Sequence, residues 1–178
     1  MGGELSFGRS PQVLVAGPNR AAQRRAAAAL VRPWEVGAIA ASLAPSLAPW
    51  SRQGLAEADL VSDWLRGLRY LPDSLTRDVW QSPLATLARG GGDCEDLAIA
   101  ALSVLLALGC SGVILVGIMF SRSGPIGHAW LEGWDSAGWY HIEATKSVVT
   151  RLARPPAYVA YAVYGPSTGG GAATGRVR

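Results

Sequence analysis

Apolar and polar positions divide this chain into a helical first half and a strand-like second half. Asn19 can cap a helix running to about Val31. Pro33 opens a second helix, which must end before Pro45 and Pro49. Ser51 can cap a third, in which Leu60, Trp64, Leu65 and Leu68 recur at helical spacing and mark a core-facing stripe. Leu71 to Gln81 is irregular. Ser82, with Pro83 in the first turn and Gly90 past the end, brackets a short helix. Asp93 caps the next, from about Cys94 to Leu108, and a strand follows from about Val113 to Met119. Ser121 to Gly127 reads as a loop. His128 to Trp134 and Trp139 to Thr145 read as two strands joined by a tight turn at Asp135-Ser136-Ala137-Gly138. These elements predict an α+β fold, with helices first and an antiparallel sheet after. One domain spans 19–164, between a flexible segment at 1–18 and a disordered Gly-rich tail at 165–178.

The stretch from Ala98 to Phe120 carries no charge and, at about 23 residues, is long enough to suggest a membrane span. Its internal structure argues otherwise. Gly109, Cys110, Ser111 and Gly112 interrupt it, its first half is rich in Ala and Leu, and its second half holds Val113, Ile114, Leu115 and Val116. A buried helix followed by a buried strand explains that order, so no membrane span is expected.

At 178 residues the chain suits one domain, large enough to bury about two thirds of its unfolded surface. Its apolar content of 49% is that of a globular protein. The net charge is +3, with arginines scattered toward both ends, which argues against a concentrated nucleic-acid-binding face. Two cysteines make no disulfide framework, and the first residues lack a secretory pattern. A reducing cytoplasm is the expected location.

The candidate chemistry centres on Cys94. It stands at a predicted helix start after Gly90, Gly91, Gly92 and Asp93. There the helix dipole and free N–H groups favour a thiolate and lower the thiol pKa, and the glycines allow a substrate backbone to come close. Cys110, in an apolar turn, reads as a packing residue. Of the two histidines, His128 opens a strand and falls roughly opposite Glu143 on the next, where a carboxylate can orient an imidazole. His141 is the rival base. It shares a strand face with Glu143 but pairs near Trp130, and otherwise reads as a half-exposed strand histidine. Asp93, Glu95 and Asp96 offer oxygen ligands for calcium, although capping and the helix dipole explain acids at a helix start more simply.

The stretch from Asp78 through Trp80-Gln81-Ser82-Pro83 to Gly92-Asp93-Cys94-Glu95-Asp96 resembles the nucleophile region of transglutaminase-like cysteine peptidases. Gly127-His128-Ala129-Trp130-Leu131-Glu132 is similar to their histidine motif, and Trp139-Tyr140-His141-Ile142-Glu143-Ala144-Thr145 to their acid motif. One departure stands out: the acid position of that family usually holds aspartate followed by Pro-Thr, and here it is Glu143-Ala144-Thr145.

The resemblance implies a papain-like, transglutaminase-like core with the nucleophile at the start of a central helix packed on an antiparallel sheet. It implies a thiol hydrolase that cleaves a peptide or isopeptide amide through a thioester on Cys94, His128 and Glu143. The Cys94 N–H, with the Trp80 indole or the Gln81 amide, would hold the oxyanion. No cofactor is required, calcium at Asp93 and Glu95 is possible, and the partner is a protein or peptide substrate. Acyl transfer to an amine on the same residues, and a non-catalytic binding module with the same fold, are the alternatives.

Overall fold

The computed structural model describes residues 13–14, 26–50, 56–74 and 78–165. A helical segment at 26–30 and a 3₁₀ turn at Pro33–Glu35 lead into α1, Gly37–Trp50. The sequence places the end of this helix before Pro45; instead it runs through Pro45 and Pro49. Each proline removes one i→i−4 bond, to the carbonyls of Ala41 and Pro45, and the rest of the ladder continues around the gaps. Helix α2, Glu57–Leu65, starts later than expected. Ser51 lies outside the described residues, and the Ala56 N–H is taken by the Asp59 carboxylate at 3.0 Å. The buried stripe of α2 is Ala58, Val61, Ser62 and Leu65, one helical step away from the expected one, with Trp64 and Leu68 packed at its margin. The flexible segment expected at 1–18 and the tail after 165 lie outside the described residues, except that Val13–Leu14, β1, pairs with Val79–Trp80, β3.

Helix α3, Pro83–Arg89, follows the sequence signals: the Ser82 hydroxyl accepts the Ala85 N–H, and Gly90 ends the helix in the left-handed region at φ 73°. Helix α4, Cys94–Ala107, is apolar all round after its first turn, and its side chains are buried without a break from Glu95 to Leu105. Such a helix needs cover on every side. It packs on the central sheet strands and is enclosed by α1, α2, α3 and the 3₁₀ turn. Leu102, fully buried, illustrates the energetics: truncation to Ala would cost about 2–5 kcal/mol.

The sheet has five antiparallel strands in the order β8-β7-β6-β5-β9. They are β5 Ser111–Ser121, β6 Gly124–Asp135, β7 Gly138–Glu143, β8 Val148–Thr150 and β9 Tyr158–Tyr164. The uncharged stretch is therefore α4 followed by β5, as its composition indicates, and among the described residues no helix is long and apolar enough to cross a membrane. The loop expected at Ser121–Gly127 is mostly strand. Only Arg122 and Ser123 turn, with Ser121 Oγ donating to the Gly124 carbonyl at 2.8 Å. Alternation along β6 and β7 turns Ala129, Leu131, Tyr140 and Ile142 into the core under α4. His128, Trp130, Glu132, His141 and Glu143 share the other face.

Candidate active site

The approach to Cys94 is set by two glycines. Gly91–Gly92, β4, pairs in parallel with Arg69–Tyr70, β2. A Cβ on Gly91 would fall on the Arg69 backbone, and one on Gly92 on the Asp96 side chain. The glycines thus make room for β2 and for α4.

Cys94 is half-buried at the first position of α4. Its thiol donates to Glu95 Oε2 at 3.0 Å, and the backbone of Ala129, the residue after His128, favours the ionised form of the sulfur. The lowered thiol pKa expected from the helix start is not what the surroundings give. Burial, then the Glu95 carboxyl, push the thiol well above its ordinary value.

Asp93 occupies the N-cap position, yet its side chain makes no capping hydrogen bond and its Oδ1 is buried without a partner. Burial raises its pKa, with Asp73 and Asp78 adding to the rise. Glu95 is pushed up to about 9, by burial and then by the Asp93 charge. Asp96, raised to about 7 by burial and Asp93, accepts the Gln81 backbone N–H at 2.7 Å and is also bonded by the Gln81 amide. Trp80 is buried and packs edge-on against Tyr164 at 5.3 Å between ring centres. No group of three His, Cys, Asp or Glu side chains stands ready to hold a metal among the described residues.

On the sheet, His128 is buried and its Nε2 lies 2.7 Å from Glu143 Oε2. The hairpin register differs from the one expected. Leu131 pairs with Ile142 and Glu132 with His141, so Glu143 is level with Trp130 and His128 is its diagonal neighbour. A shift of two residues keeps both side chains on one face, whereas a shift of one would have separated them. Diagonal neighbours stand about 7–8 Å apart, a span that suits the longer glutamate. Glu143 also accepts the Thr145 N–H at 3.1 Å and hydroxyl at 2.6 Å on Oε1, and the Tyr158 hydroxyl at 2.7 Å on Oε2. Burial alone would raise its pKa; the bonds from His128, Thr145 and Tyr158 prevail and hold it at about 2.

His141 is not half-exposed, as the sequence suggests, but almost fully buried opposite Glu132. Its Nδ1 is 3.5 Å from Glu132 Oε1 and its Nε2 has no partner. Glu132 is claimed more strongly by Arg154, whose Nη2 donates at 2.7 Å, and by the Trp130 indole at 3.0 Å. Cys110 follows α4 at the core margin, its thiol pushed up to about 12 by burial.

The structure therefore brings His128 and Glu143 together on the sheet, and places Asp93 and Glu95 beside Cys94 at the helix start. Sequence reasoning missed Tyr158, Thr145 and Tyr70. The run Tyr158-Val-Ala-Tyr-Ala-Val-Tyr164 carries a strand signal, and Thr145 directly follows the acid motif. Tyr70 is more than half exposed. Its phenol is raised by burial and then by the nearby Cys94, Asp93, Glu95 and Glu143. Nothing in its local sequence marks it.

The family model described as the transglutaminase-like superfamily matches residues 41–144, more than half of the chain. No curated protein matches the sequence. Among solved structures, calcium-bound LapG of Legionella pneumophila is similar at 21% identity and TM-score 0.53, covering 61% of this chain and 64% of that one. EGTA-treated LapG gives 21% identity and TM-score 0.52, covering 61% and 62%. The chain thus spans less than two thirds of the LapG chains it matches, and the likeness concerns the fold. Helix-borne cysteine, strand-borne histidine and the match over residues 41–144 agree: this chain belongs to the transglutaminase-like superfamily.

Proposed function

We propose that the protein is a thiol hydrolase that cleaves a peptide or isopeptide amide through a thioester on Cys94. The observation that carries this reading is the buried His128–Glu143 pair at 2.7 Å. Glu143, held at about 2, stays ionised across the working pH range and fixes His128 through Nε2. Nδ1 is then the nitrogen left to serve Sγ. Because burial keeps the resting thiol protonated, His128 acts as a general base during attack. The thiol proton moves to His128 as the S–C bond forms, and from His128 to the leaving amine as the C–N bond breaks. Water then attacks the thioester and gives a proton to His128, which passes it to the sulfur as the C–S bond breaks, so that the acid and the thiol are released.

The oxyanion of each tetrahedral intermediate needs fixed donors. The Cys94 backbone N–H at the helix start is one. Gln81 is the side-chain candidate, because its amide nitrogen carries a second N–H besides the one given to Asp96. Trp80 is committed to core packing against Tyr164.

Asp93 and Glu95 fit a hard cation. They are oxygen donors beside one another, and the buried Asp93 Oδ1 has no protein partner. LapG is described in a calcium-bound form. A cation here would supply the positive charge that lets these carboxyls ionise.

The test is turnover of a diverse peptide library by the wild-type protein, with and without added primary amine, products being read by mass. Hydrolysis gives free acids in both arms, and acyl transfer gives amine adducts in the second. A library left untouched in both arms, by protein with an intact fold, would favour the binding-module alternative.

A further inference from the structure

Tyr158 stands where a strand that is not next to the histidine reaches across the sheet. It opens β9, and β5 lies between β9 and β6. Gly117, on β5 opposite His128, has no side chain, and a Cβ there would fall on the Val159 carbonyl of β9 and then meet the Trp130 ring. That gap lets the aromatic rings of three strands close over β5. The Tyr158 ring meets His141 edge-on at 4.8 Å and Trp130 edge-on at 5.2 Å, and lies 6.1 Å from the His128 ring. Its hydroxyl ends on Glu143 Oε2, the same oxygen that holds His128 Nε2.

We propose that Tyr158 is a positioning residue that fixes the Glu143 carboxylate and, through it, the His128 ring. This rests on the catalytic reading of Cys94, His128 and Glu143. The physical case is one of reach. Glu143 addresses His128 across a diagonal with a side chain of three torsions, longer and looser than the usual aspartate. Thr145 anchors Oε1 and Tyr158 anchors Oε2, so the carboxylate has one orientation. The tyrosine is itself immobilised by the His141 and Trp130 rings. The unpartnered Nε2 of His141 is consistent with a ring retained for its shape. Arg154 and Arg151 pin the connection before β9: Arg154 bonds Glu132, and Arg151 bonds Asp59 at 2.7 Å and Asp135 at 3.0 Å.

The test is the rate of alkylation of Cys94 by iodoacetamide, mapped by peptide mass, across pH in the full-length protein. The variants are Tyr158→Phe, Glu143→Gln, the double variant and His128→Ala, each with a melting curve. Tyr158→Phe keeps the ring and removes the hydroxyl alone. It should slow alkylation about 10-fold near neutral pH, the size expected for losing a hydrogen bond to a charged group. In the Glu143→Gln background it should have almost no further effect, because it acts through that carboxylate. A purely structural tyrosine would give equal factors in both backgrounds. If His128→Ala slows alkylation and Tyr158→Phe does not, the inference is overturned and the catalytic reading stands. If His128→Ala leaves alkylation unchanged, the catalytic reading fails, and this inference with it.

Discussion

Glu95 and Glu143 are both buried glutamates in the same site, and their surroundings drive them in opposite directions. Glu143, on the sheet, receives bonds from His128, Thr145 and Tyr158 and is held at about 2. Glu95, on the helix, neighbours Asp93, Asp78 and the Cys94 thiol, and is pushed up to about 9 by burial and then by Asp93. The difference is one of partners, since burial acts on both. On the sheet side every oxygen of the acid has a donor, and the acid–histidine pair is assembled at rest. On the helix side, carboxyls crowd one another, and the buried Asp93 Oδ1 has none. The sheet half is fully bonded, and the helix half is short of positive charge.

The largest way to break the sheet half is to remove its base. His128→Ala should lower kcat/KM by about 100- to 10,000-fold. His141→Ala should chiefly lower the melting temperature, since that ring is buried against Tyr158 and Trp130. The reverse ranking of the two in turnover would transfer the base role to His141. Next comes the acid. Glu143→Gln keeps size and removes charge, and should cost about 10- to 1,000-fold in rate. Glu143→Asp restores the charge but falls a methylene short on the diagonal register, so it should recover little. Activity equal to wild type in Glu143→Asp would mean that the hairpin adjusts to the shorter side chain.

The helix half makes a prediction about stability. Glu95 and Asp96 hold protons in the folded state to about 9 and about 7, whereas the unfolded chain releases them near the ordinary 4.5 and 3.8. Folding therefore retains protons across that window, and without metal the melting temperature should fall as pH rises from about 4.5 to about 9. Glu143 and Glu132, both lowered to about 2, work the other way: their contribution is complete above about 4.5 and is lost as pH falls toward 2. Added calcium should raise the melting temperature more at pH 8 than at pH 5, because protons compete for the same oxygens, and Asp93→Asn should remove the response. An equal shift at both pH values, or none, would mean that no cation site exists at Asp93 and Glu95. The smallest effect belongs to Cys110→Ala, which should leave turnover within about 2-fold and cost a little stability for a half-buried side chain.

The helices and the three motifs were legible because local signals define them: Ser82-Pro83 with Gly90, the apolar length of α4, and alternation along β6 and β7. The errors arose where non-local contacts decide. Pro45 and Pro49 are helix breakers by propensity, yet α1 continues through them. The expected register put Glu143 opposite His128, but the two-residue turn at Ser136-Ala137 shifts the pairing by two. Parity survived, and with it the contact of Glu143 with His128. Burial of His141 and the raised thiol of Cys94 depend on what packs from elsewhere in the chain, which spacing cannot show. Tyr158 was missed for the same reason: it reaches Glu143 across a sheet whose strand order its own sequence does not encode.

The central claim is that Cys94 carries the acyl group. The most direct measurement is an acid quench of the protein with a cleaved library peptide, followed by mass mapping of the Cys94 peptide, beside a Cys94→Ala control of equal melting temperature. The account predicts the acyl mass on Cys94 as a thioester removed by hydroxylamine, and no turnover in Cys94→Ala. Turnover by the folded Cys94→Ala protein, or an acyl mass on Cys110 instead, would contradict it.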